Sequence, residues 1–346
     1  IYPFKNSFLT LIMALLPPDP LYHLRSDMGH IHNLHFLSNE QVTTHLLAAT
    51  EDGYVYIWDL QINRVADKQK LGTSIQAIHC IPPHLITQEK SGLVKLWNME
   101  NKNDYQSLKE YQCTGGYCRS IIINDCLILP QNDSTLDIIN FKTFEKITAL
   151  TPSQEKLGYV MCLEKVEIDN NLFFLAGYET GDVILWNFYT GKQCGHVQLK
   201  EYITSIAFDS VIGRGVCGNS SNVLQVFTID KACNFKLKCE ISITNDGCNV
   251  VRLRSDRKIL ACGGWDGRLR LFSWKSLRLL VVLNQHKKSV TDVQFSPNIV
   301  PEWNSNIMTV AGGDGLISLW NLSYNCNVYF CLFLYKSNKR HHNPVS

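Results

Sequence analysis

LLAATEDGYVYIWDL, residues 46–60, holds an apolar run, a polar turn through Asp52-Gly53, and an alternating strand closing on Trp58 and Asp59. The phrase returns six times: LITQEKSGLVKLWNM (85–99), LILPQNDSTLDIINF (127–141), FLAGYETGDVILWNF (174–188), GVCGNSSNVLQVFTI (215–229), LACGGWDGRLRLFSW (260–274) and MTVAGGDGLISLWNL (308–322). Its closing anchor falls at Trp58, Trp97, Ile139, Trp186, Phe227, Phe272 and Trp320. Each copy reads as a β-hairpin. Asp52-Gly53, Asp266-Gly267 and Asp314-Gly315 are pairs that tolerate the positive φ of a two-residue turn. The strand after each turn alternates, as in Val55 and Ile57 against Tyr54 and Tyr56.

The anchors recur about every 44 residues, the period of a WD40 blade. A further alternating run precedes the hairpins, for example SIQAIHC (74–80) and SVTDVQF (289–295). Four strands per repeat and seven repeats predict an all-β fold, a seven-bladed WD40 β-propeller. Kelch repeats run longer with other glycine signatures, and sandwiches lack a fixed long period. The seventh copy ends its third strand at Trp320, so its outer strand must come from elsewhere. Pro20–Arg25 is the natural donor and Val328–Tyr335 its rival. The ring is expected over residues 20–324, with 1–19 a leader and 325–346 a tail, both foreign to the domain.

Composition narrows the function classes. The 346 residues are 45% apolar and 18% charged with net charge +2, which excludes wholesale disorder and carries no nucleic-acid signature. No apolar run reaches the roughly 18 residues of a membrane span. The stretch SFLTLIMALL (7–16) imitates a signal peptide but runs into Pro-Pro-Asp-Pro. Thirteen cysteines carry no C-x-x-C spacing and several, such as Cys80, Cys162 and Cys262, sit in apolar strands. They read as reduced thiols of a cytoplasmic and nuclear protein. Thr190-Gly191-Lys192 lacks the upstream glycine of a phosphate loop, and neither G-x-S-x-G nor H-E-x-x-H occurs. His30 and His32 would share a strand face while His35 points away, so no metal site is expected. The chain reads as no enzyme, with no cofactor.

Two surfaces stand out. Seven positions before each anchor, at the start of the second-to-third-strand turn, lie Glu51, Lys90, Asn132, Glu179, Ser220, Trp265 and Gly313. Such turns ring the central channel. Trp265 is the one large aromatic there, with Arg268 and Arg270 expected to add a basic rim. Glu51, Lys90 and Glu179 complete the candidate partner-binding set. Between Val250 and Val290 stand ten basic residues, Arg252, Arg254, Arg257, Lys258, Arg268, Arg270, Lys275, Arg278, Lys287 and Lys288, against Asp256 and Asp266. A solvated strand face is the default reading; a patch for a phosphorylated or nucleic-acid ligand is the alternative. Direct DNA binding is not expected, because one blade offers no groove-reading element. Trp58, Trp97, Trp186, Trp320, His286, Asp314 and Asp52 read as structural, with His286, Asp314 and Trp320 the nearest approach to a buried Trp-to-Asp hydrogen-bond chain.

The phrases GYCRSII (116–122), KLGYVMCL (156–163), LAGYETGDVILWN (175–187) and DRKILACGGWDGRLRLFSW (256–274) resemble the guanine nucleotide-binding protein subunit beta-like protein 1 family. The likeness runs from about Pro17 to Tyr324. Despite the family name, the segment before the first blade has no heptads to coil with a Gγ subunit, and none is expected. The resemblance implies a stand-alone adaptor binding other proteins. It links that role to maturation and stability of the phosphatidylinositol 3-kinase-related kinases alongside the triple-T co-chaperone, and so to DNA-damage signalling.

Overall fold

The computed structural model describes residues 17–101 and 104–322. Within them, twenty-eight strands form seven four-stranded antiparallel sheets arranged as the blades of a propeller. The innermost strands are Ile31–Ser38, Ile75–Ile81, Ile121–Ile123, Val160–Ile168, Ile203–Asp209, Cys248–Leu253 and Val290–Phe295. They surround a central channel with a volume of about 800 Å³. Two sets of turns define two faces. The upper face carries the second-to-third-strand turns; the lower face carries the first-to-second and third-to-fourth.

The turns differ in one respect from the reading of the sequence. Only the glycine of each Asp-Gly pair takes positive φ, at 75° in Gly53, Gly267 and Gly315. Gly53 N–H bonds Thr50 C=O at 3.0 Å, so the chain makes a type I turn followed by a left-handed glycine. The glycine is obligatory: a Cβ on Gly53 would stand on the Gly72 carbonyl oxygen.

The seventh blade takes its outer strand from Tyr22–Leu24, which pairs with Ile317–Trp320 in the register Tyr22↔Leu319 and Leu24↔Ile317. The rival segment Val328–Tyr335 lies outside the described residues. Further fasteners join blade seven to blade one. Thr43 N–H donates to Ile299 C=O at 2.9 Å, and Asp292 accepts from Leu34 N–H at 2.8 Å and from Asn33 Nδ2 at 2.7 Å.

This last contact is one of a series. A polar side chain on one blade often bonds the backbone of the next blade's inner strand. Asn33 accepts from Ile78 N–H, Gln88 from Ser120 N–H and Ser205 from Val251 N–H, all within 3.0 Å. Asn249 donates to Val290 C=O at 3.0 Å. Inner strands exposed to the channel cannot satisfy every backbone group within their own sheet, and these side chains complete the count. Between blades, apolar faces meet in clusters such as Val250, Leu269, Val290, Val293 and Trp320.

Candidate functional site

All seven innermost strands contribute to the channel wall. Deep within it, the fully buried carboxylate of Asp292 lies 3.2 Å from Arg119 and 3.9 Å from Arg252. Arg119 crosses from blade three to bond the carbonyls of His32 and Thr291 in blades one and seven. A buried carboxylate is tolerable only with such partners. Glu164 of blade four faces the same space. Desolvation pushes its carboxyl up to about 7, against the opposing pull of Arg252. Desolvation also lowers His32 and His79 to about 3, so both are neutral near pH 7.

The histidines depart from their expected orientation. His30, His32 and His35 all line the channel, because a bulge between Ile31 and Asn33 shifts the alternation by one residue. Among the described residues no group of three side chains is placed to hold a metal ion.

At the channel mouth, Trp265 is 41% exposed yet fixed in place. Its Nε1–H donates to Asn249 Oδ1 at 2.6 Å, and Asn249 is itself tied to Val290. The indole lies where a Cβ on Gly247 would stand, which is why the chain has glycine there. Tyr159 and Tyr202 immediately precede the inner strands of blades four and five, and exposed Tyr117 precedes that of blade three. Blades three to six therefore each place an aromatic at the upper mouth. The sequence marked Trp265 by its aligned position. Asn249 and the tyrosines went unnoticed because their common role appears only when the inner strands stand side by side.

The remaining candidates separate. Glu51 and Lys90 pair with each other at 3.2 Å across blades one and two, and that bond holds the Glu51 carboxyl below its usual range. Glu179 accepts from Tyr159 N–H at 3.2 Å. Arg268 is exposed beside Asp266. Arg270 does not reach the rim. Only 2% exposed, it turns inward to bond Asp266 Oδ2 and Thr244 Oγ1, each at 2.7 Å. Asp52, expected to be a buried structural residue, is an exposed turn residue, because no histidine stands in frame to receive it. Trp58, Trp97, Trp186 and Trp320 are buried. In blade seven the hydrogen-bond chain is complete: Trp320 Nε1–H to Ser318 Oγ at 2.8 Å, Ser318 to His286 Nε2 at 3.1 Å, His286 Nδ1 to Asp314 at 3.1 Å. Ser318 is the member the sequence reading omitted.

The ten basic residues of the 250–290 segment form no single patch, since successive turns send them to opposite faces. Arg252 lines the channel, Arg254 is held by Asp256, and Arg268 and Arg270 share Asp266 on the upper face. Lys287 and Lys288 belong to the upper loop of blade seven.

Residues 277–321, covering parts of blades six and seven, match the family model described as WD domain, G-beta repeat. The fold is that of a WD40 propeller. This propeller is 28% identical over 326 residues to the mouse guanine nucleotide-binding protein subunit beta-like protein 1, covering 90% of this chain and 98% of that protein. It is homologous to that protein along nearly its whole length. ASTRA-associated protein 1 of Schizosaccharomyces japonicus is 24% identical over 375 residues, covering 89% of this chain and all of its own. The protein of the same name from Schizosaccharomyces pombe is 43% identical over a 76-residue stretch, 22% of this chain and 19% of its own.

Proposed function

We propose that this WD40 scaffold is a non-enzymatic adaptor that supports maturation and stability of phosphatidylinositol 3-kinase-related kinases together with the triple-T co-chaperone, in both cytoplasm and nucleus, and so serves DNA-damage signalling. Its likeness along nearly the whole chain to the mouse protein and to the Schizosaccharomyces japonicus protein named for its association with ASTRA supports the assignment. The observation that carries an interaction role is Trp265. A large aromatic held by a hydrogen bond and left two-fifths exposed has little entropy to lose on binding. The aromatic arc of Tyr117, Tyr159 and Tyr202 extends the surface around the mouth, with Arg268 at its edge. The paired Glu51 and Lys90 and the bonded Glu179 form the polar rim.

The test is co-purification of the co-chaperone components and kinases with wild-type protein and with Trp265→Ala. Truncating an interface tryptophan commonly costs about 2 kcal/mol or more, roughly a thirtyfold loss of affinity. Equal recovery by a folded variant would remove Trp265 from the interface. In calorimetry we expect no stoichiometric binding of GTP or ATP; a clear isotherm would overturn the adaptor reading. Fractionation of cells into cytoplasmic and nuclear pools tests the location.

A further inference from the structure

The lower face of blades five and six presents an apolar pair set among cations. Val211 and Ile212 are 68% and 54% exposed, at the turn between the first two strands of blade five. Solitary exposed aliphatics are common, but this adjacent pair is held rigidly. Asp209 Oδ1 accepts from Val211 N–H at 3.0 Å and Ile212 N–H at 3.4 Å, and Gly213 closes the turn with φ of 60°. Asp209 is itself fixed, its other oxygen accepting from Trp274 Nε1–H at 3.0 Å. Arg214 lies on the Trp274 ring at 3.9 Å and bonds its carbonyl. Trp274 N–H bonds Lys258 C=O at 2.8 Å. The turn of blade five and both lower turns of blade six are thus one connected body.

That body carries Arg257, Lys258, Lys275 and Arg278, all exposed and none in an ion pair among the described residues. Asp256 is already engaged by both guanidinium nitrogens of Arg254, at 2.9 and 2.7 Å. Glu167 borders the patch on the blade-four side, where its N–H bonds Ser210. Asp209 is offset by Arg214, and Asp230, beside the blade-five turn, is tied into its own loop by Ala232 N–H and Asn234 N–H. Four free cations thus stand against the two bordering carboxylates Glu167 and Asp230 and leave a local positive excess.

We propose that this lower surface docks a short acidic, amphipathic peptide segment of a partner protein, with aliphatic side chains on Val211 and Ile212 and carboxylates on Arg257, Lys258, Lys275 and Arg278. Residues 1–16 and residues 323–346 do not fit as the occupant, because neither stretch contains an Asp or Glu. A phosphate polymer would engage the cations and leave the rigid aliphatic pair unused. The site lies on the face opposite Trp265, so it stands or falls independently of the upper-face adaptor reading.

The test is fluorescence anisotropy with a labelled twelve-residue peptide alternating Glu and Leu. Matched Gln–Leu and Glu–Ser peptides remove the charge and the apolar side chains in turn. The Glu–Leu peptide is expected to bind, with both controls at least tenfold weaker. Val211→Ser with Ile212→Ser should weaken it about tenfold, and Lys258→Gln with Lys275→Gln and Arg278→Gln should do the same while flattening the salt dependence. These exposed substitutions should leave the melting temperature near wild type, and Trp265→Ala should bind the peptide normally. Equal binding of the Glu–Ser peptide, or unchanged binding by the lower-face variants, would overturn the proposal. So would a preference of the same residues for phosphatidylserine vesicles or duplex DNA over the peptide.

Discussion

Blades six and seven align residue for residue, yet they solve the same burial problem with different chemistry. Asp266 and Asp314 occupy one position, Arg270 and Ser318 another, Phe272 and Trp320 the anchor. In blade seven a tryptophan N–H must be satisfied, and Ser318, His286 and Asp314 carry the chain of bonds out to the upper turn. In blade six the anchor is phenylalanine, which needs nothing. The Arg270 guanidinium reaches Asp266 directly and replaces both serine and histidine. The tryptophans of blade six are freed for other places: Trp274 ties it to blade five, and Trp265 stands at the channel mouth. A repeat fixes positions; which side chain satisfies which remains a local choice.

The largest effect should come from breaking the ionic solution. Asp266→Ala leaves Arg270 buried without its carboxylate, and a loss of about 3–5 kcal/mol is expected in denaturant titration. Adding Arg270→Leu should restore much of it; no restoration would mean that the cost lies in the turn. In blade seven, Ser318→Ala strands Trp320 Nε1 and one histidine nitrogen, at an expected cost of about 1–3 kcal/mol. An effect below a few tenths would mean that the chain is not a stabilising unit.

Both solutions hold their carboxylate below its usual range, so both should weaken in acid. Burial would raise the Asp314 carboxyl, but the bonds from His286 and Lys287 N–H outweigh it and hold it at about 2. A carboxyl lower in the folded than in the unfolded state stabilises above about pH 4, and that contribution is lost as pH falls from about 4 to 2. About 2 kcal/mol should disappear across that window. Asp314→Asn should flatten the profile there, and an unchanged profile would assign the acid sensitivity elsewhere. The smallest effect belongs to the residue freed for the surface. Trp265→Ala should move the melting temperature by only a few degrees, since it removes one hydrogen bond and a half-exposed ring. A large drop would place Trp265 with the structural tryptophans.

The repeat phrases made the architecture readable because a hairpin's signals are local. The turn glycine of five of the seven copies, the alternating strand and the buried anchor all lie within about fifteen residues. Counting strands showed that the seventh blade lacked its outer strand and left two donors, Pro20–Arg25 and Val328–Tyr335. The pairing of Tyr22–Leu24 with Ile317–Trp320, almost 300 positions away, came from the structure. The candidate site was legible only where one residue broke an aligned series, as Trp265 does. Arg270 was misread because its alternation phase and charge both suggested the surface, while the Asp266 that neutralises it sits four residues earlier in a turn.

The sequence by itself determined the number of blades, the turns and the anchors, since each follows from the chain's own period and from residues near one another. Tertiary structure alone decided what the blades do to each other. Asp292 meets Arg119 across the channel, Asn249 of blade six bonds Val290 of blade seven, and Asp209 of blade five is gripped by Trp274 of blade six. These pairs are 173, 41 and 65 positions apart. Their contact follows from setting the blades side by side around a channel, which brings together side chains that no short-range pattern relates.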